Sequence, residues 1–130
     1  MKNETLIWYH YALENLESAK VLLGSHLFNP CLQNIHQSIE KVLKAIIIEK
    51  SLEFKRTPDI LELKHLLVKN KIQVDLSDNE CDFLNSIYLP SKYPIGSVLP
   101  DYLPDEQICK EAISIAEKVI ASVESILQID

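Results

Sequence analysis

Apolar residues recur at three- and four-residue spacing through most of this chain. Between residues 4 and 23, Leu6, Tyr9, Leu13, Leu16, Ala19 and Leu23 fall on one stripe, the period of an amphipathic helix. Gly24 follows, where a helix C-terminal cap is expected. Asn29 and Pro30 then read as the N-cap and first-turn proline of a second helix. Its stripe is Leu32, Ile35, Ile39, Val42, Leu43 and Ile46, and it continues to about Lys50. Residues 51–57 read as a charged linker. Thr57-Pro58 repeats the cap-and-proline pattern and opens a short helix to about Lys69, with Ile60, Leu63, Leu66 and Leu67 inward. Ser77 stands three residues before Glu80, the spacing of a capping box. It predicts a helix to Leu89 with Cys81, Leu84, Ile87 and Tyr88 on one side.

The segment 90–104 holds Pro90, Pro94, Gly96, Pro100 and Pro104. That density of proline is incompatible with a regular helix and predicts the longest irregular loop of the chain. Long loops in compact domains are often functional. A last helix is expected from Asp105 to Leu127, with Ile108, Ala112, Ile115, Val119, Val123 and Ile126 as its stripe. Asp105 and Glu106 place negative charge at its positive dipole end. No segment alternates with the period of a strand, and Val74-Asp75-Leu76 is too short to count. The pattern predicts an all-α, up-and-down helical bundle, three long helices plus two short helices, in a single domain over 1–130. No internal repeat or low-complexity stretch interrupts it.

Composition narrows the classes. A chain of 130 residues can bury about two-thirds of its unfolded surface. Its apolar runs stop at four residues, as in Ala45–Ile48, so no membrane span is expected. The first residues lack a signal-peptide core, which points to the cytoplasm. Cys31, Cys81 and Cys109 are odd in number and far apart. That pattern supports neither a disulfide framework nor a zinc site, and core packing is their expected role. No His/Asp/Glu cluster has metal-ligand spacing, no glycine-rich phosphate loop exists, and no metal or cofactor is expected. The net charge of −6 is unevenly spread: residues 41–71 carry +4 and residues 72–130 carry −8. The acidic final third disfavours broad RNA binding. The basic middle either faces an anion or an acidic partner, or is simply a solvated helix pair and linker.

Several residues in order make the chain resemble the HEPN domains. Trp8 and the run from Ala12 to Leu23 look like that family's first helix. Gln37 with Glu40-Lys41-Val42-Leu43-Lys44-Ala45 looks like its second-helix signature. Tyr88 and Ser91-Lys92-Tyr93-Pro94 look like its tyrosine and Ser-Arg-Tyr-Pro run, and Ala112 and Ala116 fit its last helix. The resemblance implies a helical bundle that forms a homodimer and is paired with a minimal nucleotidyltransferase. It also implies either nucleotide binding without catalysis or a metal-independent ribonuclease. Ribonuclease members use an Arg followed, after four to six residues, by a His.

The chain departs from that last motif. Lys92 stands where the family has the arginine, and none of the four histidines, His10, His26, His36 and His65, follows it. Lysine neutralises one phosphate but cannot form a planar two-pronged clamp, and histidine is the usual proton shuttle near neutral pH. Arg56, the only arginine, has His65 nine residues on, outside the motif, and Pro58 follows Thr57 where the family often has a histidine. The expected function is therefore a non-catalytic binding or accessory protein. Its candidate nucleotide- or phosphate-binding residues are Lys41, Lys44, Lys92 and Tyr93, with Glu40 on the same polar rim, where helix two would face the 90–104 loop. Bland alternatives stand beside each: Glu40 and Lys44 as a surface i,i+4 pair, Lys92 as a cation at a helix C-terminus. His36 reads either as a partly buried hydrogen-bonding residue or as part of a dimer cleft. The alternative function is a ribonuclease toxin of a toxin-antitoxin pair with a modified site.

Overall fold

The densest apolar pattern of the chain builds its central helix. A computed structural model describes residues 1–53, 56–92 and 104–129, apart from the side chains of residues 89–92. Five helices run in order: α1 (Asn3–Gly24), α2 (Phe28–Glu49), α3 (Ile60–Lys69), α4 (Asp78–Lys92) and α5 (Glu106–Leu127). No strand occurs among the described residues. The three long and two short helices are those expected from periodicity.

Leu32, Ile35, Ile39, Val42, Leu43, Ile46 and Ile47 of α2 are wholly inaccessible, each contributing roughly 1.5–3 kcal/mol of burial. They can be because α2 packs against all four other helices. α1 lies along it as the antiparallel half of a hairpin. Small residues allow close approach: Ala12 and Ala19 of α1 are fully buried, and Ser38 Oγ of α2 donates to the Ala12 carbonyl at 2.7 Å. α5 closes the core with Cys109, Ala112, Ala116, Val119 and Val123.

The helix starts differ in detail from the sequence expectations. α2 begins at Phe28, before Asn29, and its N-cap, Leu27, makes no side-chain cap bond. Pro30 still sits in the first turn, where a missing N–H costs nothing. α3 is capped by Asp59 rather than Thr57. The Asp59 carboxylate accepts from the N–H groups of Leu61 and Glu62, while Thr57 Oγ1 accepts from Asp59 N–H at 3.0 Å. The capping box of α4 is present in both halves. Ser77 N–H donates to Glu80 Oε1 at 2.9 Å, and Glu80 N–H to Ser77 Oγ at 3.1 Å. α4 runs on through Pro90 to Lys92 rather than stopping at Leu89, although the proline ring lacks the N–H that would bond one turn back and crowds that carbonyl. The rest of the expected loop, residues 93–103, lies outside the described residues.

The helix stops share one device. α1, α2, α3 and α5 are each followed by a left-handed residue, His26, Ser51, Lys71 and Gln128, with φ between 53° and 62°. In each case the next residue, Leu27, Leu52, Ile72 or Ile129, donates its N–H five residues back, at 2.9–3.0 Å. This is the Schellman closure with an apolar residue after the left-handed one. Gly24, the expected cap, is instead the last residue of α1.

Candidate functional site

The α2 residues singled out by charge project toward α1. Positions 40, 41 and 44 share a helical face, and Trp8 and Asn15 lie along the edge of α1 beside it, with Tyr11 reaching over from the outer face. Lys44 Nζ lies 3.2 Å from Glu40 Oε2 and 5.5 Å over the Trp8 ring. Its side chain is only 8% exposed and that of Glu40 18%. Lys41 Nζ donates to Asn15 Oδ1 at 2.8 Å and sits 5.6 Å over the Tyr11 ring. Asn15 Nδ2 in turn donates to Asn34 Oδ1 at 2.9 Å, and Asn34 Nδ2 to the Pro30 carbonyl at 2.9 Å. The result is a polar seam along the outer junction of α1 and α2, two lysines on two aromatic faces, a geometry that holds ammonium groups in place.

The seam divides chemically. The Lys44 charge is matched by Glu40 and sealed under Trp8, so it serves the junction itself. Lys41 is the half-buried cation that reaches a surface hollow of about 300 Å³, shared with Tyr11, Glu14, Asn15 and Ser18. All described contacts of Glu40, Lys41 and Lys44 are with α1 or within α2. Lys92 ends α4, but its side chain, Tyr93 and the stretch to 103 lie outside the described residues.

A second polar spot lies between α2, α3 and α4. His36 is 1% exposed, deeper than the sequence suggested. Its imidazole stacks on Tyr88, and neither ring nitrogen has a hydrogen-bond partner of ordinary geometry among the described residues. Burial pushes its pKa down to about 4, with Asn85 and the Asp59 charge drawing weakly the other way. Asn85 is already committed: its Nδ2 donates to Asp59 Oδ1 at 2.9 Å, and its Oδ1 accepts from Ile60 N–H at 3.3 Å. A neutral, enclosed imidazole is not a proton donor near neutral pH. His10, His26 and His65 are exposed, and His65 lies 3.5 Å from Asp78. Among the described residues no three His, Cys, Asp or Glu side chains converge as a metal site, and no helix is long and apolar enough to cross a membrane.

The HEPN domain pattern matches residues 5–126. The chain belongs to the HEPN domain family. In fold it is similar to TT1696 from Thermus thermophilus, at 24% identity and a TM-score of 0.74, covering 95% of this chain and 98% of that one. It is likewise similar to ST0689, an archaeal HEPN homologue, at 21% identity and a TM-score of 0.65, covering 98% of this chain and 99% of that one. No curated protein matches the chain. In this HEPN domain the signature Glu40-Lys41-Val42-Leu43-Lys44-Ala45 thus has a double use. Val42, Leu43 and Ala45 are core, and Glu40, Lys41 and Lys44 build the seam with α1.

Sequence reasoning missed two features of the surface. One is a groove of about 620 Å³ between α4 and α5, floored by Phe83 and Ile115 and bordered by Lys110 and the Glu80–Lys118 pair. The other is the outward face of α1. The buried positions Thr5, Tyr9, Ala12, Leu16 and Ala19 repeat at 4-3-4-3 spacing. Offset by two residues, on the opposite face, Ile7, Tyr11, Glu14, Ser18 and Val21 repeat the same spacing, all on the open side of the helix. Ile7, Tyr11 and Val21 are 51%, 53% and 64% exposed. The inner stripe masks the outer one when a single period is sought.

Proposed function

We propose that this HEPN domain is a non-catalytic accessory protein that works as a homodimer beside a minimal nucleotidyltransferase, with Lys41 as its nucleotide-binding cation. The observation that carries the reading is the second stripe of α1. A helix with apolar residues on both faces is normally covered on both, and Ile7, Tyr11 and Val21 are large side chains left open at a coiled-coil spacing. The groove beside them, about 770 Å³ along Glu14, Glu17, Ser18, Val21, Leu22 and Asn34, gives a second α1 a place to lie. Support for the absence of catalysis is chemical. Arg56 is the only arginine, no histidine stands at the motif spacing from it or from Lys92, and His36 is sealed and neutral.

Light scattering after size exclusion tests the assembly. The expected mass is that of two copies, falling to one in Tyr11→Glu/Val21→Glu with an unchanged helical spectrum. A wild-type monomer at tens of micromolar, unchanged by a co-expressed nucleotidyltransferase, sinks the reading. Incubation with RNA in a metal chelator tests the chemistry, and the expected outcome is intact RNA. Cleavage restores the ribonuclease-toxin alternative. Titration with ATP, for wild type and Lys41→Met, tests the nucleotide: any saturable binding is expected to weaken in the variant.

A further inference from the structure

Cys31 and Cys109 are separated by most of the chain, yet each sits in the first turn of its helix, α2 and α5, and the two turns face one another. Both side chains have zero exposure. Both are free thiols. Cys109 Sγ donates to the carbonyl of Phe28, at 3.7 Å, one turn before Cys31, which sets the Cys109 thiol against the start of α2 that carries Cys31. Two buried thiols on adjoining helix starts are the natural partners for a bridge. Cys81, buried in α4, is the third free thiol.

We propose that Cys31 and Cys109 are an oxidative modification site: a dithiol that a small-molecule disulfide of the glutathione type converts reversibly into an intramolecular disulfide, stapling the start of α2 to the start of α5. In the first step one protein thiol gives up its proton and attacks the small disulfide. A protein–small-molecule mixed disulfide forms, and one small thiol leaves. In the second step the other protein thiol loses its proton and attacks the protein sulfur of that mixed disulfide, expelling the second small thiol. Two electrons and two protons pass from the protein pair to the oxidant, and one S–S bond is made for the one broken.

The surroundings set the rate. Burial pushes the Cys109 thiol up to about 12 and raises that of Cys31 as well. Zero exposure also bars the oxidant while the helices are packed. The reaction therefore runs through opening of the first turn of α5, and it is slow compared with an exposed thiol. Once formed, the staple closes a long loop and restricts the unfolded chain, which raises the unfolding midpoint.

The test exposes the full chain to oxidised glutathione, in buffer and in sub-denaturing urea, followed by alkylation and intact mass. The expected product has lost two hydrogens and keeps one alkylatable thiol, which peptide mapping places at Cys81. Its thermal midpoint is raised, and dithiothreitol restores the original mass and midpoint. Cys31→Ser and Cys109→Ser each fail to form the bridge while retaining the helical spectrum. Three alkylatable thiols after both exposures overturn the proposal. So do a bridge that includes Cys81, and glutathione adducts that never resolve to a protein disulfide.

Discussion

The imidazole of His36 lies nearly flat on the ring of Tyr88, with centroids 4.0 Å apart and planes 20° apart. The stack joins α2 to α4, neither ring nitrogen has a hydrogen-bond partner of ordinary geometry among the described residues, and desolvation holds the ring neutral with a pKa near 4 rather than 6.5. Because the folded value lies below the unfolded one, the unfolded chain binds more protons between them. Stability from neutral His36 is complete above about pH 6.5 and is lost as pH falls toward 4, a change on the order of 3 kcal/mol. Urea midpoints at pH 7.5 and pH 5 capture about 2 kcal/mol of it. In His36→Leu most of that drop should vanish, since an apolar replacement leaves no buried polar atom unpaired. An equal drop in the variant would assign the acid sensitivity to other groups.

The Glu40–Lys44 pair predicts an asymmetric mutational response. Glu40→Ala leaves the buried Lys44 ammonium with the Trp8 face as its one remaining partner among the described residues, and costs on the order of 3 kcal/mol. Glu40→Ala/Lys44→Met removes both charges and should recover most of that loss. Chemical denaturation of the singles and the double decides it. A double variant as unstable as the sum of the singles would mean that the pair acts independently of its burial.

Left-handed residues other than glycine carry backbone strain of about 1 kcal/mol. Lys71 is exposed and has φ 62°, so Lys71→Gly should stabilise by about 0.5–1 kcal/mol. Lys71→Val, branched at Cβ, should destabilise. Thermal melts of the two variants must move in opposite directions for the closure to be as described.

The two short helices differ in how much depends on their caps. Ser77→Ala removes one side-chain cap bond from α4 and costs about 1 kcal/mol. Asp59→Ala removes the acceptor for Leu61 N–H, Glu62 N–H and Asn85 Nδ2 together, and should cost about twice as much. Equal losses for the two would mean that the Asn85 link adds nothing.

The helices are legible in the sequence because their apolar stripes are long and regular, and the α4 capping box because both of its partners are side chains of fixed type. The stops are harder to read. Glycine is the usual signal, and here His26, Ser51, Lys71 and Gln128 take its place. The usable cue is the apolar residue after each, at 27, 52, 72 and 129, which a search for glycine passes over. Lys44 reads as a surface charge because its i,i+4 spacing to Glu40 says nothing about Trp8, brought over it only when α1 folds back. His36 reads as a hydrogen-bonding residue because its ring has two polar atoms, and only the packed fold shows both enclosed without a partner of ordinary geometry among the described residues. The outer face of α1 is hidden for a different reason: two stripes of equal period, set on opposite sides, leave little net amphipathicity to detect.

Since each of the other four helices rests on α2, none of its central amides can meet solvent by the fraying of one neighbour. Deuterium should reach Ile39 through Ile46 only when the whole domain opens, while the ends of α3 and α4 exchange through smaller excursions. α2 thus acts as a clock for global opening, and its slowest amides report the full conformational free energy of the domain.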